Sequence, residues 1–186
     1  MEQKTWDILD ILRLERNHPR EMAKQVGTNH TKIIRNLKIL YENNIVDFKR
    51  EGKNKVYYLK DNLITRKKVL SLEYYKFERL AKAYPKLVPV ISEMLEIVKK
   101  ETVILFGSYA KFRVKEGSDI DVYVDSEDRN LRKKIEDINS KLSVKIGKFD
   151  KKSPLGKEII RNHIILKGVE EFYEKYKIFE EVAFGE

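Results

Sequence analysis

The residues of this chain best placed to do chemistry are Asp119 and Asp121, set one residue apart within an apolar run. Successive side chains of a strand point to opposite faces, so the two carboxylates share one face. Ile120, Val122 and Val124 take the other and point into a core. Two carboxylates fixed side by side repel each other unless a cation lies between them. Hard divalent cations such as Mg²⁺ prefer such oxygen ligands. Upstream stand Gly107 and Ser108, separated from Asp119 by the ten residues Tyr109 to Ser118. Gly107 lets the backbone turn tightly and leaves room for a bulky group. Ser108 can open a helix, whose free N–H groups favour a phosphate. A surface hairpin with two solvated aspartates is the competing reading. The apolar alternation of the second segment speaks against it, because it buries one face and gathers both acids on the other.

The elements that must position these groups can be read outward from them. Val103 to Phe106 are β-formers leading into Gly107-Ser108, and a helix over 90–100 leads into that strand. After the Asp-x-Asp strand, 128–141 reads as an amphipathic helix with Leu131, Ile135 and Ile138 inward. Residues 142–149 read as a third strand. Ser153-Pro154 starts a helix in which Ile159, Ile160, Ile164, Ile165 and Leu166 pack, and the tail 169–184 reads as helical.

Gly-Ser, ten residues, then Asp-x-Asp resembles the signature of the DNA polymerase β-like nucleotidyltransferases, and most closely their minimal members. The resemblance covers roughly residues 87–167. It implies that Gly107 and Ser108 hold a nucleoside triphosphate, ATP by preference. It also implies that Asp119 and Asp121 bind Mg²⁺ as catalytic and metal residues. The family usually adds a third carboxylate on the next strand. The matching segment here is Ser143-Val144-Lys145-Ile146-Gly147, which puts Lys145 at the acid position. An ammonium there opposes a second metal and can contact phosphates instead. Asp150 lies on the far side of that strand, and Asp125 shares the face of the dyad but sits farther along. By resemblance, a HEPN-domain toxin is a candidate partner.

The first hundred residues differ in character. Residues 1–60 hold 13 Lys and Arg against 8 Asp and Glu, residues 61–100 hold 9 against 5, and residues 101–186 hold 17 of each. All of the net +9 charge therefore lies in the N-terminal part, which points to a polyanion partner. Three short helices are predicted there, over 3–15, around Met22 to Val26, and after Thr28 or Asn29. The third has Ile33, Ile34, Leu37, Leu40 and Tyr41 inward and His30, Thr31, Lys32, Arg35, Asn36 and Lys38 outward. Segments 45–50 and 55–60 alternate like strands around a turn at 51–54. The arrangement resembles a winged helix-turn-helix of the ArsR-type regulators. The resemblance implies contacts to double-stranded DNA from the outward residues of the third helix and from Lys49, Arg50, Lys53 and Lys55 of the wing. A winged helix used for protein contact is the competing reading.

Residues 62–84 read as one long helix with apolar residues in excess of what one small domain covers, which predicts a homodimer. Tyr84-Pro85 and Val88-Pro89 break it. No run of 18 apolar residues exists, so no membrane partner is expected, and the apolar core of a signal peptide is missing from the start. With no cysteine there is neither a disulfide nor a thiolate site, and a cytoplasmic protein is the simplest reading. The three histidines show no metal-ligand spacing and read as surface or helix-end residues.

The predicted fold class is α+β. A winged helix-turn-helix spans 1–60, a linking helix 61–86, and a small α/β nucleotidyltransferase domain with a mixed sheet 87–186. Two functions follow. One is a DNA-binding protein that transfers a nucleotide, of AMP type, to a protein or nucleic-acid acceptor. The other is a catalytically impaired regulator or antitoxin that keeps the transferase fold as a nucleotide sensor or scaffold.

Overall fold

Capping residues punctuate the N-terminal helices of the computed structural model, which describes residues 3–182 and 184–185. Helix α1 spans Gln3–Leu12, α2 Pro19–Val26 and α3 His30–Glu42. Pro19 occupies the first turn of α2, where its missing N–H costs nothing. Gly27 ends α2 in the left-handed region at φ 65°, and the N–H of Thr28 returns to the carbonyl of Ala23 at 2.9 Å. Asn29 then caps α3, its side chain accepting from the N–H of Lys32 at 2.9 Å. Strands β1 (Val46–Glu51) and β2 (Asn54–Lys60) pair antiparallel. Gly52, at φ 59°, supplies the left-handed residue of the turn. The order helix, helix-turn-helix, hairpin is that of a winged helix. Its core holds Ile8, Leu9, Leu12, Met22, Ile33, Leu37, Leu40, Val46 and Leu59.

Helix α4 (Leu63–Ala83) begins at Asn62, which accepts from the N–H of Thr65. The chain divides into two compact units within this helix. Residues 1–72 with 179–186 form the first, and residues 73–178 the second. The tail is helical only in part. After α9 (Val169–Lys175) and a 3₁₀ turn at Ile178–Glu181, β7 (Phe184–Gly185) runs parallel to β2.

In the second unit, α5 (Leu87–Ile97) leads into β3 (Val103–Leu105), the one-turn α6 (Gly107–Ala110) and β4 (Ile120–Asp125). Then come α7 (Asn130–Glu136), β5 (Leu142–Gly147), α8 (Pro154–Arg161) and β6 (Ile164–Lys167). The four strands lie in the order β5-β4-β3-β6. β4 and β5 are parallel and the other pairs antiparallel, so the sheet is mixed. Ile120, Val122 and Val124 face a core shared with Leu131 and Ile135 of α7 and Leu87, Ile91 and Met94 of α5. On the opposite side Phe149 gathers Tyr123, Phe172 and Tyr176 at ring separations of 5.7, 4.9 and 5.0 Å.

Two expectations are corrected here. Ile164, Ile165 and Leu166 do not continue the helix after Ser153. They form β6, because β3 offers an open ladder edge and β-branched residues fill it well. His163, read as a surface or helix-end residue, does stand just past the end of α8 but is buried there, with Nε2 3.1 Å from the carboxylate of Glu73. Glu73 is itself buried and also accepts from Lys76 and the Tyr173 hydroxyl, each at 3.0 Å.

Candidate functional site

Strand β4 fixes Asp121, and Asp119 stands exposed one step before the strand begins. The N–H of Phe106 donates to the backbone carbonyl of Asp121 at 2.9 Å, clamping the exit of β3 against β4. The chain then passes through Gly107 at φ 69°. A Cβ at that position would lie 2.2 Å from Oδ2 of Asp121, so the backbone approach requires glycine twice over, for space and for torsion. Ser108 follows, its Oγ buried and without a hydrogen-bond partner. A buried hydroxyl left unpaired costs free energy, and a ligand oxygen would remove that cost.

The register shows what lies beside the dyad. Ser143 pairs with Asp121, and Lys145 pairs with Tyr123 one step along. Partners in register on parallel strands share a face, so the residue flanking Asp121 on β5 is a serine, and exposed Lys145 stands beyond it. Burial pushes the Asp121 carboxyl above the usual carboxylate range, helped by the charges of Asp119 and Glu158. A hydrogen bond from Ser143 and the charge of Lys145 pull the other way.

The remaining acids of this region have structural tasks. Buried Asp125 accepts from Lys175 Nζ at 2.7 Å, the Tyr176 hydroxyl at 2.6 Å and the N–H of Phe149 at 3.3 Å, which ties α9 to the sheet. Asp125 and burial, with burial the larger cause, push the Tyr123 hydroxyl up to about 12, so it stays protonated and donates to the carbonyl of Gly147 at 2.7 Å. Asp150 is exposed and caps the turn before α8, accepting from the N–H of Lys152. Among the described residues no three acidic or histidine side chains converge to metal-binding distance. A cation bound beside β4 would be held by Asp119 and Asp121. The unpaired Ser108 hydroxyl could donate to a phosphate oxygen beside it.

Sequence reasoning did not find Glu158 or Lys111. Glu158 lies on α8, outside the motif, and accepts from Lys111 Nζ at 2.7 Å. Lys111 immediately follows α6. No local spacing relates residues 47 positions apart, so nothing in the pattern could have paired them.

In the winged-helix unit, His30, Thr31, Lys32, Arg35 and Lys38 of α3 are exposed, as are Arg50, Lys53 and Lys55 of the wing. Lys55 rests over the ring of Phe48 at 3.8 Å. Asn36 is a correction. It is only 4% exposed and faces α1, where the Thr5 hydroxyl donates to Oδ1 while its own Nδ2 donates to the carbonyl of Lys32. A side chain so engaged cannot read a base edge. Ile34 and Tyr41, expected inside, are exposed instead, Ile34 beside Arg35. A cleft of about 380 Å³ runs between α3 and the wing, lined by His18, His30, Ile34, Lys53, Lys55 and Tyr57 among others.

Residues 90–171 match the family model described as "Polymerase beta, Nucleotidyltransferase", and this stretch is a nucleotidyltransferase domain of that type. No curated protein matches the chain. Among solved structures, similarity is found to the transcriptional repressor BigR from Xylella fastidiosa, at TM-score 0.33 and 20% identity over 35% of this chain and 64% of that one. A second is the homodimeric winged helix-turn-helix DNA-binding domain of a possible ArsR-family transcriptional regulator from Mycobacterium bovis, at TM-score 0.30 and 28% identity over 31% of this chain and 54% of that one. A third is the adhesin competence repressor AdcR from Streptococcus pyogenes, at TM-score 0.40 and 16% identity over 54% of this chain and 75% of that one. The chain thus spans between half and two thirds of the first two structures.

Proposed function

We propose that the second unit binds a nucleoside triphosphate with Mg²⁺ and transfers its nucleotidyl group to a protein or nucleic-acid hydroxyl, while the first unit binds duplex DNA. The observation that carries the transferase reading is the close approach of Gly107 to the Asp121 carboxylate next to the unpaired Ser108 hydroxyl. Asp119 and Asp121 are the groups that would hold Mg²⁺, which when bound neutralises charge on the phosphates and on the dyad. Gly107 permits the triphosphate to lie against backbone, and the Ser108 hydroxyl donates to it. Lys145, exposed on β5 one step beyond Ser143, would add an ammonium on that side of a bound polyanion. Phosphoryl-type transfer depends mostly on such positioning and charge, and little on covalent help from the protein.

One observation favours the second reading, in which the fold serves as a nucleotide sensor of a regulator or antitoxin. β5 presents Ser143 and Lys145 where a third acid would stand. In that form the site binds Mg-ATP without transfer, and a HEPN-domain toxin is the partner to seek. The DNA reading rests on the exposed cations of α3 and the wing. A homodimer and a cytoplasmic setting complete the proposal. No described helix is long and apolar enough to cross a membrane. The test pairs calorimetry of ATP with and without Mg²⁺ against a labelling assay with radioactive ATP and cell extract. Binding with transfer supports the enzyme, and binding alone supports the sensor. No Mg-dependent binding by the unmodified chain would overturn both.

A further inference from the structure

We propose that the cleft between α3 and the wing takes an unpaired base, so that the first unit binds single-stranded nucleic acid by base faces as well as by phosphates. The inference deepens the reading of the first unit as a nucleic-acid binder and rests on it. It starts from what α3 shows to solvent. A helix that reads a duplex needs donors and acceptors for base edges, and apolar carbon there serves only a thymine methyl. Yet the exposed residues of α3 include Ile34 at 38% and Tyr41 at 49%. Two turns of helix take about seven residues, so Ile34 and Tyr41 stand on one side of α3.

Neither residue stands alone. The Tyr41 ring lies 5.9 Å from that of Phe48 on β1, and Phe48 lies 5.5 Å from Tyr57 on β2. Tyr57 and Ile34 both line the cleft of about 380 Å³. Three rings and one aliphatic side chain thus form a row across the junction of helix and wing. Single apolar residues on a surface need no explanation, but a connected row that opens on a cleft marks a binding surface. The cleft falls within the range of about 300–1,000 Å³ usual for sites that take one small group.

The cleft is held in shape from its far wall. Asn17 and Tyr57 exchange two backbone hydrogen bonds, at 3.0 and 2.9 Å. His18 Nδ1 lies 3.1 Å from the carbonyl of Lys55. These bonds fasten the approach to α2 onto β2, so the site needs little ordering when a ligand enters. Its rim is basic. Arg20, Lys53 and Lys55 line it and are exposed, and the acid among the lining residues, Glu21, is engaged by Lys24 at 2.8 Å. Lys55 stands directly above the aromatic row, 3.8 Å over the Phe48 ring. An aromatic floor under a cationic rim complements a flat base joined to a phosphate. A base inside a duplex has both faces stacked on its neighbours and cannot offer one to a ring. Duplex DNA would meet the rim cations alone, whereas a single strand would use the floor as well.

The test is fluorescence anisotropy on the full chain with end-labelled strands of about 20 nucleotides, enough to cover one site. The probes are oligo-dU, oligo-rU, an abasic strand of the same length and charge, and a duplex. Oligo-dU or oligo-rU is expected to bind about tenfold or more tightly than the abasic strand, because stacking acts only where a base is present. The tighter of the two identifies the sugar that the site takes. Tyr41→Ala and Ile34→Ala, both at exposed positions, should close most of that gap and leave the abasic affinity unchanged. Tyr41→Phe, which keeps the ring, should preserve the gap. Equal affinity for all three strands would overturn the inference, and duplex binding by the same protein would then leave the nucleic-acid reading standing. A gap that survives both alanine variants at unchanged thermal midpoint would overturn the assignment to this cleft. No binding of any probe at low salt would overturn the nucleic-acid reading and this inference with it.

Discussion

Asp121 carries an internal conflict that a substitution exposes. Burial and the neighbouring charges of Asp119 and Glu158 oppose its ionisation, yet the proposed cation needs it ionised. Asp121→Asn removes the opposed charge and keeps a side chain able to accept from Ser143. The variant should therefore melt higher, by roughly 1–4 °C because solvent screens much of the repulsion, while Mg-dependent ATP binding disappears from the calorimeter. A lower melting point would show that the Ser143 hydrogen bond outweighs the repulsion. Asp125 on the same strand makes the opposite case. It is held by Lys175, Tyr176 and the N–H of Phe149, so Asp125→Ala strands three donors and should cost about 2–4 kcal/mol in denaturant unfolding. Lys145→Asp should increase any labelling activity, since it adds an acid on the face of the dyad. Activity indifferent to that change would show that Lys145 does not stand in for the missing acid. Alternation singles out Asp119 and Asp121 in the sequence because strand periodicity is local, and the structure sets Asp121 on β4 with Asp119 one residue before it. That Asp125 is structural was not legible, because its partners arrive from α9, fifty residues later.

Elements were readable where their signals are short-range and ambiguous where tertiary pairing decides. Pro19, Gly27 and Asn29 mark the helix-turn-helix in plain sequence: Pro19 opens α2, Gly27 ends it and Asn29 caps α3. Ile164 to Lys167 is a short apolar run that fits either period, and only the open edge of β3 selects the strand. Asn36 was misread because a polar residue on a helix defaults to solvent. Its partner Thr5 is 31 residues away, and the pair joins α1 to α3. Asn36→Ala should accordingly cost about 1–3 kcal/mol of stability, and at temperatures where the variant is folded its affinity for DNA should match that of the unmodified chain. A selective loss of DNA affinity would restore Asn36 to the recognition face. Helix α4 bears on the expected homodimer. Val69, Leu70, Leu72 and Leu80 are buried within a single chain, leaving Leu63, Ile64 and Tyr74 as its exposed large apolar residues, at 72%, 54% and 53%. The surplus that predicted a dimer is thus largely consumed. An interface at Leu63 and Ile64 remains testable by light scattering at tens of micromolar, where Leu63→Glu should convert dimer to monomer.

Charge is a property of the whole molecule, and it separates the chain into parts of different electrostatic character. The net +9 lies within the first hundred residues, whereas residues 101–186 balance 17 cations against 17 anions. A basic part suits a partner that is itself a polyanion. Many of the excess cations are free to act at a surface. Lys32 and Arg35 of α3 and Arg50 and Lys53 of the wing are exposed, whereas Lys38 lies 3.8 Å from Glu42 and Lys55 sits over the Phe48 ring. The full chain should therefore bind duplex DNA with an affinity that falls steeply with salt, because each neutralised phosphate releases condensed counterions. Exchanging Lys32 or Lys53 for Gln should weaken binding on every sequence alike and reduce the logarithmic salt slope by about 1. Arg35→Ala should instead relax preference between sequences, since its fork can reach a guanine edge. Mobility shifts across a salt series, with random and selected duplexes, measure all three. Salt-independent binding, or no shift at low salt, would return the winged helix to protein contact, with its cations solvated rather than spent on phosphate.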